Sequence, residues 1–160
     1  MSDARPVARV IVASNRASAG VYTDTSGPIL VAGLRELGFD VADAEVVPDG
    51  EPVGDALREA IAAGVSLVVT SGGTGISPTD RTPEVTAAVL DYKVPGIAEA
   101  VRAYARDSVP TAMLSRGVAG VAGRTLIVNL PGSRGGAKDG IAVLAPMLRH
   151  AIDQLAGGDH

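Results

Sequence analysis

Val65-Ser66-Leu67-Val68-Val69-Thr70-Ser71-Gly72-Gly73-Thr74-Gly75-Ile76-Ser77-Pro78-Thr79-Asp80-Arg81-Thr82-Pro83-Glu84 gives three structural instructions in series. The apolar run at 65–69 reads as a buried strand. Three glycines and four hydroxyl residues then make a loop, where Gly72, Gly73 and Gly75 permit close backbone approaches. Successive N–H groups in such a loop form an anion-binding nest. Asp80 and Arg81 set opposite charges beside it, and Thr82-Pro83-Glu84 reads as N-cap, N1 and N2 of a helix. Strand, glycine-rich turn and helix start together form a common phosphate-binding arrangement.

Working outward, strand-like and helix-like segments alternate. Strands are expected at 8–13, 41–47, 67–70 and 124–129, with a short one at 115–121. Helices are expected at 26–37, 52–63, 83–90, 97–106 and 137–155, the last kinked or interrupted at Pro146. Residues 14–20 read as a polar loop, and 130–136 as a second glycine-rich one. This alternation predicts an α/β domain with a mostly parallel sheet, and the uniformly apolar strands fit burial on both faces. In such folds the working loops lie beyond the carboxyl ends of the strands. That rule gathers 14–16, Asp49, 71–81 and 131–136 at one edge, provided the strand order allows it.

Composition narrows the functions. A chain of 160 residues reads as one domain, spanning 8–155 with flexible ends at 1–7 and 156–160. Apolar residues make up 46% of it, enough for a sizeable core. Phe39, Tyr22, Tyr92 and Tyr104 are the only aromatics, so there is no basic-aromatic pattern for stacking bases. A net charge of -4 gives nucleic acid no electrostatic attraction. Without cysteine, disulfides, thiolate metal sites and cysteine nucleophiles are excluded. The first six residues lack the apolar core of a signal peptide, and no run reaches the roughly 18 apolar residues of a membrane span. The expectation is a cytoplasmic protein that engages neither membrane nor nucleic acid.

Four motifs recur in order: Thr70-Ser71-Gly72-Gly73-Thr74-Gly75, Asp80-Arg81-Thr82-Pro83-Glu84, Leu114-Ser115-Arg116 and Asn129-Leu130-Pro131-Gly132-Ser133. Ser14-Asn15-Arg16 and Asp24-Thr25-Ser26-Gly27 match more weakly. Together, over about residues 8–150, they resemble the Mog/MoaB-type molybdopterin-binding family. The resemblance implies a three-layer α/β/α sandwich, commonly trimeric. It also implies molybdopterin adenylyltransferase activity: AMP passes from ATP to the terminal phosphate of molybdopterin, with magnesium, and pyrophosphate leaves. The product is then the substrate of a partner molybdenum-insertion enzyme.

Joining two polyanions requires repulsion to be suppressed and charge on the α-phosphate to be stabilised. The substrate phosphate is itself the nucleophile, so no serine or histidine nucleophile is needed; His150 and His160 read as helix-end and tail residues. By the resemblance Asp80 is catalytic and holds the metal; alone it would read equally as an Asx-turn or a helix-approach cap. Asp49 is the second catalytic candidate, though Pro48-Asp49-Gly50 is also an ordinary turn. Substrate-binding candidates are Ser14, Arg16, Ser71, Gly72, Gly73, Thr74, Gly75, Ser115, Pro131, Gly132 and Ser133, with Ser115 on the pterin side. Asn15 stands where the family often has Asp. Arg134 and Lys138 read as phosphate-attracting or merely solubilising. The alternatives are a molybdopterin carrier without catalysis, a purely structural subunit and, apart from the resemblance, a generic phosphate-binding enzyme. A P-loop enzyme is disfavoured, because the loop is not Gly-x-x-x-x-Gly-Lys-Ser/Thr.

Overall fold

Thirteen elements alternate along the chain, and residues 4–158 are described in this computed structural model. They are β1 (Val7–Ala13), α1 (Asn15–Ser18), α2 (Ser26–Glu36), β2 (Asp40–Val41), β3 (Glu45–Val47), α3 (Glu51–Ala62), β4 (Leu67–Ser71), α4 (Thr82–Ala87), β5 (Tyr92–Lys93), α5 (Pro95–Arg106), β6 (Ala119–Ala122), β7 (Thr125–Leu130) and α6 (Arg134–Leu155). A 3-10 turn covers Pro110–Leu114.

The sheet order is β2-β1-β4-β7-β6-β5, with β3 also paired to β1. β2, β3, β4 and β7 join β1 in one parallel block, while β6 runs antiparallel to β7 and β5 antiparallel to β6. Side chains alternate across this sheet. Val10, Val12, Leu67, Val69, Leu126 and Val128 pack in the core under α2, α5 and α6. Ile11, Val68 and Ile127 pack in the other core, with Val53, Leu57 and Ala60 of α3 and Val85 of α4. The result is the expected three-layer α/β/α sandwich. Because β1, β3, β4 and β7 are parallel, their carboxyl ends share one edge, and the strand order satisfies the condition for gathering the loops there.

Several expected elements differ. Residues 15–18 form α1 rather than loop, because Ser14 Oγ accepts the Ala17 N–H and caps one turn. The strand expected at 41–47 is split. Between pairs Ala8↔Val41 and Ile11↔Glu45 the edge strand advances one residue more than β1, and Arg35 captures Val41 O at that bulge (2.7 and 3.0 Å). The strand expected at 115–121 starts only at Ala119, and β5 was not expected. α4 ends at Ala87, short of the expected Leu90. α6 begins at Arg134, since Ser133 Oγ accepts the Gly136 N–H and starts the helix through two glycines. It continues through the solvent-exposed Pro146 without interruption. Of the expected flexible ends, Val7 already pairs with Asp40 in β1, while residues 1–3 and 159–160, including His160, lie outside the described residues. No helix among the described residues is long and apolar enough to cross a membrane.

Candidate functional site

The loops following β1, β3, β4 and β7 wall a cavity of about 510 Å3. Ser14, Arg16, Asp49, Ser71, Gly72, Gly73, Thr74, Gly75, Asp80, Pro131, Gly132 and Ser133 all line it. Ser115 does not. It lines a second cavity of about 260 Å3 together with Ala105, Val109 and Leu114. Thr74, Gly75, Pro131 and Ser133 border both, so the two cavities adjoin. Arg134, Lys138 and His150 sit on α6 outside both linings.

The glycines serve the packing of the loops on one another. Gly72 and Gly73 have φ of 96° and 69°. A Cβ on Gly72 would strike the Ala13 carbonyl oxygen; one on Gly132 would meet Gly72 Cα at 2.9 Å. The Gly72 N–H donates to Leu130 O (3.0 Å), which withdraws it from any anion nest. Ser71 borders the cavity, but its hydroxyl is fully buried and donates to Ser26 Oγ (2.9 Å). Ser26 Oγ donates in turn to Asp24 Oδ1 (3.1 Å). Ser71 therefore ties β4 to α2, and its hydroxyl is not presented to a ligand.

Thr82 is not the expected N-cap. Arg81 takes that position, the Thr82 N–H goes to Gly73 O (3.0 Å), and the Thr82 hydroxyl is buried without a partner. Asp49 Oδ1 is the other buried side-chain polar atom without a hydrogen bond among the described residues. Both flank Gly73: a Cβ there would collide with Thr82 Oγ1 and lie 2.9 Å from Asp49 Oδ1. Burial pushes the Asp49 pKa up, partly offset by the Asn15 backbone N–H, and the charge of Asp80 pushes it further. Asn15 has a second hold on this loop, since its Oδ1 accepts the Asp49 N–H (2.9 Å). An aspartate at position 15 would accept the same bond, so Asn15 keeps that function without the charge. Asp80 lines the cavity, and its Oδ2 reaches back to accept the Ser77 N–H (3.0 Å), closing the 77–80 turn rather than forming an Asx-turn.

Tyr22 and Asp24 also line the cavity and were not singled out as site residues. The Arg16 guanidinium stands 5.5 Å from the Tyr22 ring centroid, and Ser14 Oγ lies 3.1 Å from Tyr22 Oη. Nothing local in the sequence marks Tyr22. Asp24 was readable as a cap: it accepts N–H bonds from Ser26 and Gly27, both 3.1 Å.

No group of three or more histidines, cysteines, aspartates or glutamates that could hold a metal occurs among the described residues. The site offers the pair Asp49 and Asp80, with one buried carboxylate oxygen unpartnered. Such an oxygen-only set suits a hard cation that keeps several waters and binds phosphate as well.

The sequence matches a family model described as a probable molybdopterin binding domain over residues 9–150. It is 40% identical over 157 residues to the molybdenum cofactor biosynthesis bifunctional protein of Chlorobaculum tepidum, covering 97% of this chain and 50% of that one. The chain thus spans about half the length of that relative. Over 155 residues it is 35% identical to a molybdopterin adenylyltransferase of Helicobacter pylori, covering 92% and 86% of the two chains. The solved structure of the molybdopterin biosynthesis Mog protein from Mycobacterium ulcerans superimposes with a TM-score of 0.92 at 54% identity, covering 97% of this chain and 99% of that one. With the motifs of both glycine-rich loops inside the matched segment, the chain belongs to the molybdopterin-binding domain family.

Proposed function

We propose that this chain is a molybdopterin adenylyltransferase acting in molybdenum cofactor biosynthesis. The observation that carries the reading is the pair Asp49 and Asp80 on one cavity whose glycine-rich wall is shared with a second cavity. One cavity suits the nucleotide phosphates, and the more apolar neighbour, with Ser115, suits the pterin. Asp49 and Asp80 would hold magnesium, which supplies charge neutralisation on the phosphates. Arg16 adds a cation from the β1 side. The loops hold the molybdopterin phosphate toward the nucleotide, so positioning replaces a protein nucleophile. Cytoplasmic location, trimeric assembly and hand-over to a molybdenum-insertion enzyme belong to the same proposal; a sedimentation mass of three chains checks the assembly.

The direct test is conversion of molybdopterin and Mg-ATP to adenylylated molybdopterin by wild type and Asp80→Asn. Wild type is expected to convert. Asp80→Asn is expected to fold normally and turn over roughly 100-fold more slowly or worse. Molybdopterin binding without conversion by wild type would replace the enzyme reading with a carrier.

A further inference from the structure

We propose that Arg116 is a positioning residue that fixes the backbone bearing Asp80 to the Ser115 side of the second cavity. Its functional consequence rests on the adenylyltransferase reading; its structural content does not.

Segment 115–118 is anchored from two sides. Arg102 of α5 donates from Nη1 to Gly117 O (2.9 Å) and Ser115 O (3.4 Å). Asn129 of β7 accepts the Val118 N–H at Oδ1 (3.1 Å). From this base Arg116 reaches across to the glycine-rich loop. Its backbone N–H donates to Thr74 O (2.7 Å), Nε to Gly75 O (2.8 Å) and Nη2 to Asp80 O (3.0 Å). Two further bonds meet Glu84 in the first turn of α4: Nη1 to Oε2 at 2.5 Å and Nη2 to Oε1 at 3.3 Å. One guanidinium therefore holds both ends of the 75–80 turn and the helix that follows.

An ordinary surface ion pair would involve Glu84 alone. The Arg116 and Glu84 side chains are 38% and 45% exposed, and such a pair adds little by itself. The carbonyl contacts distinguish this arginine. Gly75 O and Asp80 O are bridged by donors in the fixed directions of a planar fork, which lysine lacks. The turn's own bonds, Ser77 N–H to Asp80 Oδ2 and Asp80 N–H to Ser77 O, close it internally, and Arg116 attaches it to the segment ahead of β6. Because that segment carries Ser115, the Asp80 backbone is placed relative to the wall of the second cavity.

Two readouts on the full chain test this. Amide hydrogen exchange needs no activity. In Arg116→Ala the amides of 75–80 are expected to exchange about tenfold faster or more, with β4 and β7 unchanged. Arg116→Lys, with charge but no fork, is expected to follow Arg116→Ala, and it carries both readouts should Arg116→Ala not fold. In AMP transfer, kcat is expected to fall about tenfold or more while KM for molybdopterin stays within about twofold. Millimolar guanidinium ion is expected to restore part of the Arg116→Ala rate and leave wild type unchanged. Wild-type exchange in 75–80 of the variants overturns the proposal whatever the activity. Faster exchange with unchanged kcat overturns the link to Asp80. Wild type without AMP transfer removes the adenylyltransferase reading, and the exchange result then decides the anchoring alone.

Discussion

Asp49 is held where its charge is disfavoured, and that has a thermodynamic sign. Its folded-state pKa lies above the ordinary 3.8, chiefly through burial. The native state therefore binds the proton more readily than the unfolded chain, and stability falls as pH rises through the interval between the two values. The penalty is absent well below 3.8 and grows as pH rises through that interval toward the raised folded-state value. Asp49→Asn is expected to melt above wild type at pH 7, to lose that advantage below pH 3.8, and to lose AMP transfer throughout. Thermal unfolding at the two pH values checks this; a lower melting point at pH 7 would refute it. At this scale the sequence was informative about which carboxylates reach the site and silent about their supports. Asp49 and Asp80 stand in recognisable motifs, whereas Asn15 bonds to Asp49 across 34 positions, and Tyr22 reaches the cavity from a loop without a local signature.

Elements obey local rules until tertiary contacts override them, and α6 displays both regimes. Gly135 and Gly140 both lie in this helix. A Cβ on Gly135 meets nothing within 4 Å, whereas one on Gly140 would collide with the Leu130 side chain. Gly135→Ala should gain about 0.5–1 kcal/mol from restricting the unfolded chain. The same change at Gly140 overpacks the contact with β7 and should cost about 1–3 kcal/mol. Urea denaturation midpoints decide; equal shifts of one sign would show that helix propensity alone governs the two positions. The same distinction explains which elements were legible. Buried strands β4 and β7 announced themselves as apolar runs. The helical turn at 15–18 and the first turn of α6 depended on the serine caps at 14 and 133, outweighing loop-like composition. The break between β2 and β3 exists only in pairing with β1, so no pattern within 41–47 encodes it.

The whole molecule decides how the loops divide their work. Parallel strands deliver Ser14, Asp49, Gly72 and Gly132 to one edge. Ser115 reaches that edge by the opposite route, because β6 is antiparallel to β7 and begins where β7 ends. Along the sheet the sequence of loops is therefore β1, β4, β7, then the approach to β6, with Arg16 and Ser115 toward opposite ends of the row. The linear sequence identified these segments without fixing this order. Arg16 and Ser115 line different cavities, and under the proposed activity Arg16 would serve the nucleotide and Ser115 the pterin. Ser115→Ala should raise KM for molybdopterin about threefold to tenfold and leave KM for ATP unchanged. Arg16→Ala should do the reverse, by about tenfold or more, since a charged hydrogen-bond donor is lost. Steady-state kinetics with each substrate varied at saturation of the other separates the two effects. Equal increases in both constants from either variant would mean that the adjoining cavities act as a single binding site, with the 74–75 and 131–133 segments inside it rather than between its halves.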